Sequence, residues 1–364
     1  MERILQIGMT SNYGGVETFI MNLYRHIDRT KFQFDFLDME NNGKEIAYTD
    51  EIKKLGGNIY KIPGRKENWI KNYRELKKLI KTNHYYAIHN NVLTWSYIDG
   101  ISLPLKYSKA KVIVHSHNSK MDKSLLTRRL LNAINRRYNH SDDIIRLACS
   151  KDAGKWLFDD KQFQVIPNGI DCNSYKFREQ IRSEYRKKFK VDNQRVFLNV
   201  GRLSYQKNQT YLLKLFKKIC EKESNAVLFL AGDGELKEQL MKEALALGIS
   251  KKVKFLGIRH DIKELMFMSD EFILTSHYEG LPLVLVEAQA TGLPCLISDT
   301  ISDEVNLTPL INKINIQTLT EEYASLALNL INSNENRMMS AQDVIQAGYD
   351  ISNTVKTMER IYTN

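Results

Sequence analysis

Short apolar runs alternate with amphipathic stretches along almost the whole chain. Between the apolar runs of the first half, apolar residues recur at helical spacing and predict helices such as Val16–Ile27 and Ile70–Thr82. Strands that alternate with helices indicate a parallel sheet with both faces covered. The apolar runs themselves predict strands at Ile4–Ile7, Phe34–Leu37, Tyr86–His89, Lys111–His115 and Ile145–Cys149.

The alternation pauses after residues 166–171, and a charged segment with no strand pattern follows over residues 176–193. It then resumes and ends in a helix predicted from Asp343 to Tyr362. We therefore predict two α/β domains, residues 1–170 and 171–345, and a final helical segment, 346–364. The strands predicted in the second half are Val196–Val200, Val227–Ala231, Val253–Leu256, Phe272–Thr275 and Pro294–Ser298.

Composition fits a globular chain of about two domains, with 364 residues, of which 43% are hydrophobic and 26% charged. The net charge of +10 suits phosphorylated ligands, an anionic membrane surface or nucleic acid. Nucleic acid is the weaker interpretation, because no zinc-finger spacing or aromatic-basic RNA motif is present. No apolar run reaches the roughly 18 residues of a membrane span, and the N-terminus lacks a signal peptide, so we expect a cytoplasmic protein. The four cysteines are scattered and suggest buried thiols rather than a disulfide framework or a metal site.

A glycine-containing segment, GMTSNYGGVE at 8–17, follows the first predicted strand and opens a helix. Gly14 and Gly15 would let the backbone approach a ligand, and the helix N-terminus attracts anions. The segment is not the GxGxxG of nicotinamide-binding domains, and no ribose-binding acid follows the second strand. An ordinary loop between a strand and a helix explains it equally well.

A basic loop, GRLSYQKN at 201–208, follows the predicted strand VFLNV. Arg202 can bind phosphate oxygens with its planar fork, and Lys207 supplies a point charge. Together these cations could neutralise a leaving diphosphate. The alternative is a solvated basic loop.

Two acids, Glu279 and Glu287, flank the apolar sequence GLPLVLV, with seven residues between them. Pro282 suits the first turn of a helix, whose first amides, from Leu283 and Val284, would face an anion. Glu287 lies among apolar residues, where a carboxylate needs a partner such as a ribose diol. Pairing with a core lysine or arginine is the alternative.

Two histidines, His115 and His117, end the strand that starts at Lys111. A histidine at the end of a strand can accept a proton or orient a hydroxyl. A metal pair is less favoured, because no acidic ligand is near in sequence. A structural histidine is about equally compatible with the pattern.

Taken together, these segments resemble the retaining glycosyltransferases of family 4, in the branch that builds bacterial exopolysaccharide or capsule. The matching segments come in the family's order and cover most of the chain. They are GGVET at 14–18, HSHN at 115–118, ACS at 148–150, VIPNGID at 165–171, GRLSYQKN at 201–208, AGDGEL at 231–236, VKFLG at 253–257, EGLPLVLVEAQATGLP at 279–294 and SDTISDEVNL at 298–307.

The resemblance implies the GT-B fold, in which two Rossmann-like domains face each other across a cleft, with the donor sugar nucleotide on the C-terminal one. The last helix would cross back to the N-terminal domain. The acceptor would be a lipid-linked or growing glycan, and the donor most often a UDP-sugar. No metal or other cofactor is implied. The sugar, the base, the linkage and the oligomeric state stay open.

The resemblance also implies roles for individual residues. Arg202 and Lys207 would hold the diphosphate, Glu279 the sugar hydroxyls without acting as a nucleophile, and Glu287 the ribose. His117 would position or deprotonate the acceptor. The remaining residues implied to border the donor or acceptor are Gly14, Gly15, Gly201, Ile258, Gly280, Leu281, Leu283 and Val284.

Other functions remain to be weighed against a glycosyltransferase. They are an epimerase-like enzyme of the same fold, a nicotinamide-dependent oxidoreductase and a non-enzymatic binding module. One departure from the family is the absence of a glycine-rich turn after position 300, where the chain reads NLTPLINKI. This leaves the shape of that loop open.

A basic amphipathic segment follows His117 and could lie on an anionic membrane. On a helix, Leu126, Leu130 and Ile134 share one face. A core helix with solvated arginines is the alternative. The basic residues of the segment are Lys120, Lys123, Arg128, Arg129, Arg136 and Arg137, and Leu125 and Leu131 lie among them.

Overall fold

The computed structural model describes residues 1–41, 43–119, 126–332, 337 and 340–364. They form two compact units: unit 1 comprises Met1–Gly169 with Ile351–Asn364, and unit 2 comprises Ile170–Asp350. Lys120, Lys123 and Leu125, named above for a basic amphipathic segment, lie outside the described residues. No helix in the described ranges is long and apolar enough to cross a membrane.

The first part of the chain alternates strands and helices. In order, these are β1 Glu2–Ile7, α1 Gly15–His26, β2 Phe32–Asp38, α2 Thr49–Lys54, β3 Asn58–Lys61, α3 Trp69–Thr82, β4 Ala87–Val92, α4 Asp99–Tyr107, β5 Lys111–Ser116, α5 Leu126–Asn135, a 3₁₀ turn Arg136–His140, β6 Ile144–Ala148, α6 Lys151–Phe158 and β7 Gln164–Val165.

The second part continues the same alternation. In order, these are α7 Glu179–Phe189, β8 Arg195–Val200, a 3₁₀ turn Tyr205–Lys207, α8 Gln209–Lys222, β9 Ala226–Ala231, α9 Lys237–Ala246, β10 Val253–Gly257, α10 Ile262–Met268, β11 Glu271–Leu274, α11 Leu283–Ala290, β12 Cys295–Ser298, a 3₁₀ turn Asp303–Val305, β13 Ile311–Ile314, α12 Glu321–Asn332, α13 Ser340–Gln346 and α14 Ile351–Thr363.

Both sheets are parallel throughout, which confirms the predicted fold class. Unit 1 has the strand order β3-β2-β1-β4-β5-β6-β7, and unit 2 has the order β10-β9-β8-β11-β12-β13. In each sheet the order reverses beside the first strand, between β1 and β4 and between β8 and β11. Ligands of such sheets bind in the crevice beyond the carboxyl ends of the strands at this switch point.

Every strand predicted from an apolar run is present in the structure. Continuous apolar runs of this kind suit strands that are buried on both faces of a parallel sheet. The short strands β3, β7 and β13 were missed, since they are short and partly exposed. The charged segment 176–193, in which the sequence shows no strand pattern, contains the helix α7. Arg182 and Arg186 of α7 both bind Asp270. Phe189 packs edge-on against Phe229, so ion pairs and an apolar contact together hold this helix within unit 2.

The single helix predicted from Asp343 to Tyr362 is wrong. The structure breaks it between α13 and α14, where Gly348 has a φ of +88°. The returning segment of unit 1 therefore begins at Ile351 rather than at 346. Ile351, Val355, Met358 and Tyr362 of α14 join the same core as the β1, β2 and α1 side chains.

The loop after position 300 is shaped by a buried side chain instead of glycines. Gln289 of α11 accepts hydrogen bonds through Oε1 from the backbone N–H groups of Leu307 at 3.2 Å and Thr308 at 3.1 Å. The Thr308 hydroxyl donates to the same oxygen at 3.0 Å. The Gln289 side chain thus provides the hydrogen-bond acceptor for the backbone N–H groups of the turn that leads to β13.

Candidate functional site

The loops that follow β8 and β9 lie in close contact, and the loop after β8 borders the switch point of unit 2. Gly201 directly follows β8 with a φ of +154°, a conformation that favours glycine. A Cβ atom on Gly232 would lie 2.0 Å from the carbonyl oxygen of Gly201, so no larger residue fits there. This packing fixes the start of the basic loop that carries Arg202 and Lys207.

Lys207 and Glu279 form a buried ion pair, with 2.7 Å between Nζ and Oε1. Their side chains are 17% and 8% exposed. The Ser276 hydroxyl donates to the same carboxylate oxygen at 2.6 Å. The two residues that the sequence placed in separate motifs therefore meet where the loops after β8 and β11 adjoin.

Backbone and side-chain hydrogen bonds hold these two loops together. The backbone N–H of His277 donates to the carbonyl of Gln206 at 2.8 Å, and the Gln206 side chain donates to the carbonyl of Tyr278 at 3.0 Å. Thr275 donates to the Asn208 carbonyl at 3.0 Å. The positions of the lysine and the carboxylate are thus set by their neighbours as well as by each other.

Arg202 is separate from this pair and faces solvent. Its side chain is 59% exposed, and its Nε donates at 3.1 Å to Glu235, which is 53% exposed. An exposed ion pair of this kind contributes about 0–1 kcal/mol and can exchange partners readily. Arg202 can therefore leave Glu235 for a more strongly charged anion without loss of stability.

Glu287 is buried in α11, and its Oε1 accepts a hydrogen bond from the Tyr175 hydroxyl at 2.9 Å. Burial raises the pKa of Glu287 to about 7. The alternative of pairing with a core lysine or arginine is not seen among the described residues, where Tyr175 is the side-chain partner. This carboxylate can accept further hydrogen bonds.

The helix predicted around the two acids begins later than expected. Pro282 is the N-cap residue rather than part of the first turn, and Leu283 and Val284 are the first residues of α11. Their N–H groups precede the first hydrogen bonds within the helix. Gly280 and Leu281 lie buried in the loop between Glu279 and this helix.

The end of β10 presents an exposed side chain, Ile258. Gly257 has a φ of +67°, and its carbonyl accepts from the N–H of Gly232 at 2.8 Å. Ile258 is therefore attached through the backbone to the same loop after β9 that contacts Gly201. It is one of the residues that the family resemblance implies to border the donor or acceptor.

In unit 1 the glycine segment forms a compact turn around Glu17. The Glu17 carboxylate accepts from the N–H of Thr10 at 3.0 Å, from its hydroxyl at 2.6 Å and from the N–H of Gly14 at 3.2 Å. A Cβ atom on Gly14 would lie 2.8 Å from this carboxylate, whereas one on Gly15 would meet nothing within 4 Å. Burial raises the pKa of Glu17. A side chain at Gly14 would therefore displace the Glu17 carboxylate, whereas Gly15 starts α1 beside open space.

His117 follows β5 and lies in a cluster of aromatic rings. Its Nε2 lies 3.0 Å from Oδ1 of Asn91, and its ring centroid lies 4.2 Å from that of His115 and 5.2 Å from that of Phe19. Burial lowers the pKa of His117 to about 3. The imidazole is therefore neutral at physiological pH and better suited to orient a hydroxyl than to take up a proton.

The chain matches two family descriptions that together cover most of its length. Residues 13–174 match "Glycosyltransferase Family 4", and residues 181–343 match "Glycosyl transferases group 1". EpsF of Bacillus subtilis, provisionally named a glycosyltransferase, is 33% identical over 99% of this chain and 96% of its own. The chain belongs to glycosyltransferase family 4.

Further relatives agree with this membership. CapH of Staphylococcus aureus is 24% identical over 100% of this chain and 99% of its own. The crystal structure of HepE from Anabaena with UDP-glucose aligns over 100% of both chains with a TM-score of 0.81 and 19% identity. The crystal structure of WaaG aligns over 100% of both chains with a TM-score of 0.76 and 16% identity. These structures support the GT-B fold of this glycosyltransferase.

Some partners of the motif residues could not be found by sequence reasoning. Tyr175 and Ser276 contact the motif acids but carry no pattern of their own. Gln206 and Glu235 lie inside the segments GRLSYQKN and AGDGEL, where sequence reasoning assigned them no role. Within the described ranges, no group of three or more His, Cys, Asp or Glu side chains is placed to hold a metal ion. That the enzyme works without a metal stays a prediction.

Proposed function

We propose that this enzyme is a retaining glycosyltransferase that moves a sugar from a UDP-sugar to a lipid-linked or growing glycan in exopolysaccharide or capsule synthesis. CapH is named for capsular polysaccharide biosynthesis, which supports the setting. HepE was crystallised with UDP and with UDP-glucose, which supports the donor. Neither a nicotinamide cofactor nor a purely structural role is favoured by the site.

The observation that carries the proposal is the Lys207–Glu279 pair at the switch point of unit 2. A lysine and a carboxylate held 2.7 Å apart offer adjacent sites for a phosphate oxygen and a sugar hydroxyl. Arg202 lies on the same loop with its fork exposed, so it can join Lys207 on the diphosphate. The pair thus marks the junction between the phosphate end and the sugar end of the donor.

The nucleotide end would be bound by α11 and its preceding loop. Glu287 is buried with Tyr175 as its partner and can accept hydrogen bonds from the ribose hydroxyls. The N–H groups of Leu283 and Val284 at the helix start favour the negative charge of a phosphate. We assign base recognition to the backbone at Gly257 and Ile258.

The reaction needs stabilisation of a leaving diphosphate more than a protein nucleophile. The bond between the anomeric carbon and the β-phosphate oxygen breaks, and the acceptor oxygen bonds to the same face. The departing diphosphate takes the acceptor's proton. Arg202 and Lys207 stabilise its charge, as a divalent ion does in other enzymes. Glu279 is held by Lys207 and Ser276, so it binds sugar hydroxyls rather than attacking carbon.

We assign the acceptor side to unit 1, with Gly14 and Gly15 bordering it and His117 orienting a hydroxyl. The α-1,3-galactosyltransferase of Escherichia coli that uses UDP-Gal and a GlcNAc-diphosphoundecaprenol acceptor is 36% identical over 39% of this chain and 38% of its own. That name supports a lipid-linked acceptor for the present enzyme.

The surface of α5 supports contact with an anionic membrane. Asn132 and Asn135 face inward, where they hydrogen-bond the backbone of Trp95 at 2.8 and 2.9 Å. The apolar residues Leu130 and Ile134 are instead 63% and 51% exposed. A core helix is therefore the wrong interpretation for these residues.

The charge around this helix favours a bilayer as the occupant. Arg129 and Arg137 are exposed beside the apolar face, and each basic residue near an anionic surface adds about 1 kcal/mol of binding. Arg136 contributes less, because it forms an ion pair with Asp159. This contact would bring the acceptor site to a lipid-anchored glycan without a membrane span.

Vesicle sedimentation tests the membrane contact. The enzyme should bind phosphatidylglycerol vesicles at low salt and release them at high salt. Leu130→Gln with Ile134→Gln should weaken binding, and so should Arg129→Gln with Arg137→Gln. Lys237→Gln with Lys242→Gln, both on α9 of unit 2, is a matched loss of two charges that should leave binding unchanged. Absence of binding to anionic vesicles at low salt would exclude the contact.

A thermal-shift screen with UDP, GDP, ADP and NAD tests the donor. UDP should stabilise the enzyme, whereas stabilisation by NAD alone would favour an oxidoreductase. Glu287→Gln should weaken binding of bare UDP, and Glu279→Gln should leave it nearly intact but lose discrimination among sugars. Equal losses with UDP alone would contradict this division. The anomeric configuration of the product, read by NMR, decides between retention and inversion.

A further inference from the structure

The orientation of one buried amide, that of Asn91, is fixed by its surroundings. One end of the amide lies 3.3 Å from the carbonyl oxygen of Ile7, which can only accept a hydrogen bond. That end is therefore the nitrogen, which also donates to Oε1 of Gln6 at 3.1 Å. The oxygen at the other end lies 3.0 Å from Nε2 of His117 and must accept, so Nε2 of His117 carries the proton.

The direction of donation in the next hydrogen bonds, from Gln6 to the C-terminal helix α14, follows from this assignment. Since Oε1 of Gln6 accepts from Asn91, its Nε2 donates to the Tyr362 hydroxyl at 3.3 Å. A hydroxyl can accept from two donors, but among the described residues the single proton of the Tyr362 hydroxyl has no other acceptor, so the hydroxyl donates to Nδ1 of His89 at 2.8 Å. Nε2 of His89 then donates to Nδ1 of His115 at 3.2 Å. One backbone carbonyl thus sets the direction of every hydrogen bond in the chain.

Two buried ring nitrogens end this arrangement. Among the described residues, Nε2 of His115 and Nδ1 of His117 have no hydrogen-bond partner. The hydrogen-bond directions assigned to this chain make Nε2 of His115 a donor and Nδ1 of His117 an acceptor with a free lone pair. Burial lowers the pKa of His117 and of His89 to about 3, so both rings are neutral and their tautomers are defined.

We propose that Asn91 is a positioning residue that holds His117 in the Nε2–H tautomer, so that Nδ1 accepts a hydrogen bond from a substrate hydroxyl. The Ile7 carbonyl fixes the amide of Asn91, and Gln6 and Tyr362 connect it to α14. The substrate part of this inference rests on the proposed function, in which His117 orients a hydroxyl. The tautomer part concerns the ligand-free protein and stands without it.

The opposite tautomer is disfavoured by the same contacts. In that tautomer, a lone pair of His117 Nε2 would face the amide oxygen of Asn91 at 3.0 Å, with no proton between them. If the amide turned to offer its nitrogen to His117, its oxygen would face the Ile7 carbonyl, which cannot donate. Buried polar groups left unpaired are costly. The ring would then present a donor instead of an acceptor at Nδ1.

Nitrogen-15 NMR of the full-length protein labelled at histidine tests the tautomer directly. The His117 signals, assigned by their loss in His117→Gln, should show a protonated Nε2 and an unprotonated Nδ1. In Asn91→Ala they should shift toward a mixture of tautomers. Asn90→Ala is the matched control, because the Asn90 amide is also buried and bonded to a backbone carbonyl, but among the described residues it forms no hydrogen bond with a histidine side chain. Unshifted His117 signals in Asn91→Ala would overturn the proposal.

A second variant keeps the test valid if Asn91→Ala fails to fold. Tyr362→Phe removes one hydroxyl without changing the shape of the side chain. It should alter the tautomers of His89 and His115, which lose the proton donor at the start of their chain, and leave that of His117 unchanged. A shift at His117 in this variant without a shift at His89 would contradict the assigned polarity.

Kinetic measurements test the substrate contact of His117 separately from its tautomer. Asn91→Ala should lower kcat by about tenfold to a hundredfold with little change in KM for the donor, as expected for a misplaced positioning group. Asn90→Ala should retain wild-type kcat. If NMR shows the expected tautomers but kcat is unchanged in Asn91→Ala, the proposed substrate contact is overturned while the tautomer assignment holds. If NMR does not show the expected tautomers of His117, the positioning role of Asn91 is overturned.

Discussion

Replacing Lys207 by methionine should destabilise unit 2 as well as weaken donor binding. The change keeps the apolar stem but leaves the Glu279 carboxylate, only 8% exposed, without its cation. Removing one partner of a buried pair costs roughly 3–5 kcal/mol. Ser276 still donates to that carboxylate at 2.6 Å, so we expect about 3 kcal/mol, the lower end of that range.

A double-mutant cycle isolates the pair from its surroundings. Lys207→Met and Glu279→Gln should each lower the free energy of unfolding. The loss in the double variant should be about 2 kcal/mol smaller than the sum of the two single losses, because no buried charge remains unpaired. Arg202→Ala is the control. Its exposed pair with Glu235 contributes about 0–1 kcal/mol, so this variant should lose UDP binding without losing stability.

Urea unfolding followed by far-UV circular dichroism measures these changes. Tryptophan fluorescence alone does not suffice, because all three tryptophans, Trp69, Trp95 and Trp156, lie in unit 1. UDP affinity is measured by calorimetry on the same samples. Strict additivity in the cycle, or a loss of stability in Arg202→Ala equal to that in Lys207→Met, would refute the reasoning.

Two buried acids and the predicted independence from metal give three further outcomes. Burial raises the pKa of Glu287 to about 7. Because the ribose binds the ionised form, UDP-sugar affinity should rise between about pH 6 and pH 8, and calorimetry on Glu287→Gln should show weak binding without that rise. Burial also raises the pKa of Glu271 well above its ordinary value of 4.5. The folded state then binds more protons than the unfolded state, so this group's contribution falls as pH rises above about 4.5. Glu271→Gln should therefore gain stability relative to wild type more at pH 8 than at pH 5 in urea unfolding, and an equal difference at both would contradict the burial argument. Transfer should survive excess EDTA, and complete loss restored by Mg²⁺ or Mn²⁺ would show that a metal is required.

The two parallel sheets could be predicted from sequence because their strands are continuous apolar runs. VFLNV at 196–200 and the run Val227–Ala231 are buried almost entirely, and such runs have few alternatives to a central parallel strand. The motif loops could be placed for the same reason, since each directly follows one of these strands. The family resemblance added the roles, which remain predictions.

The contacts within the site could not be predicted, because they depend on which strands become neighbours. The order β8-β11 puts Lys207 beside Glu279, although 71 residues separate them in the chain. Tyr175 reaches Glu287 from a loop with no motif of its own. The outward face of α5 was also ambiguous, because an apolar stripe fits a core and a membrane equally well. The inward hydrogen bonds of Asn132 and Asn135 show which side of α5 packs on unit 1, and contact of the other side with a membrane remains a proposal.

Direct detection of sugar transfer tests the central claim. The enzyme is incubated with a panel of sugar nucleotides and lipid extracts containing polyprenyl-diphosphate saccharides, and the products are followed by mass spectrometry. One UDP-sugar should yield a glycolipid heavier by a single sugar residue, with one UDP released per transfer, and Arg202→Ala should yield none. No transfer from any sugar nucleotide to lipid-linked or free glycan, with the wild-type protein folded and loaded with UDP, would contradict the account.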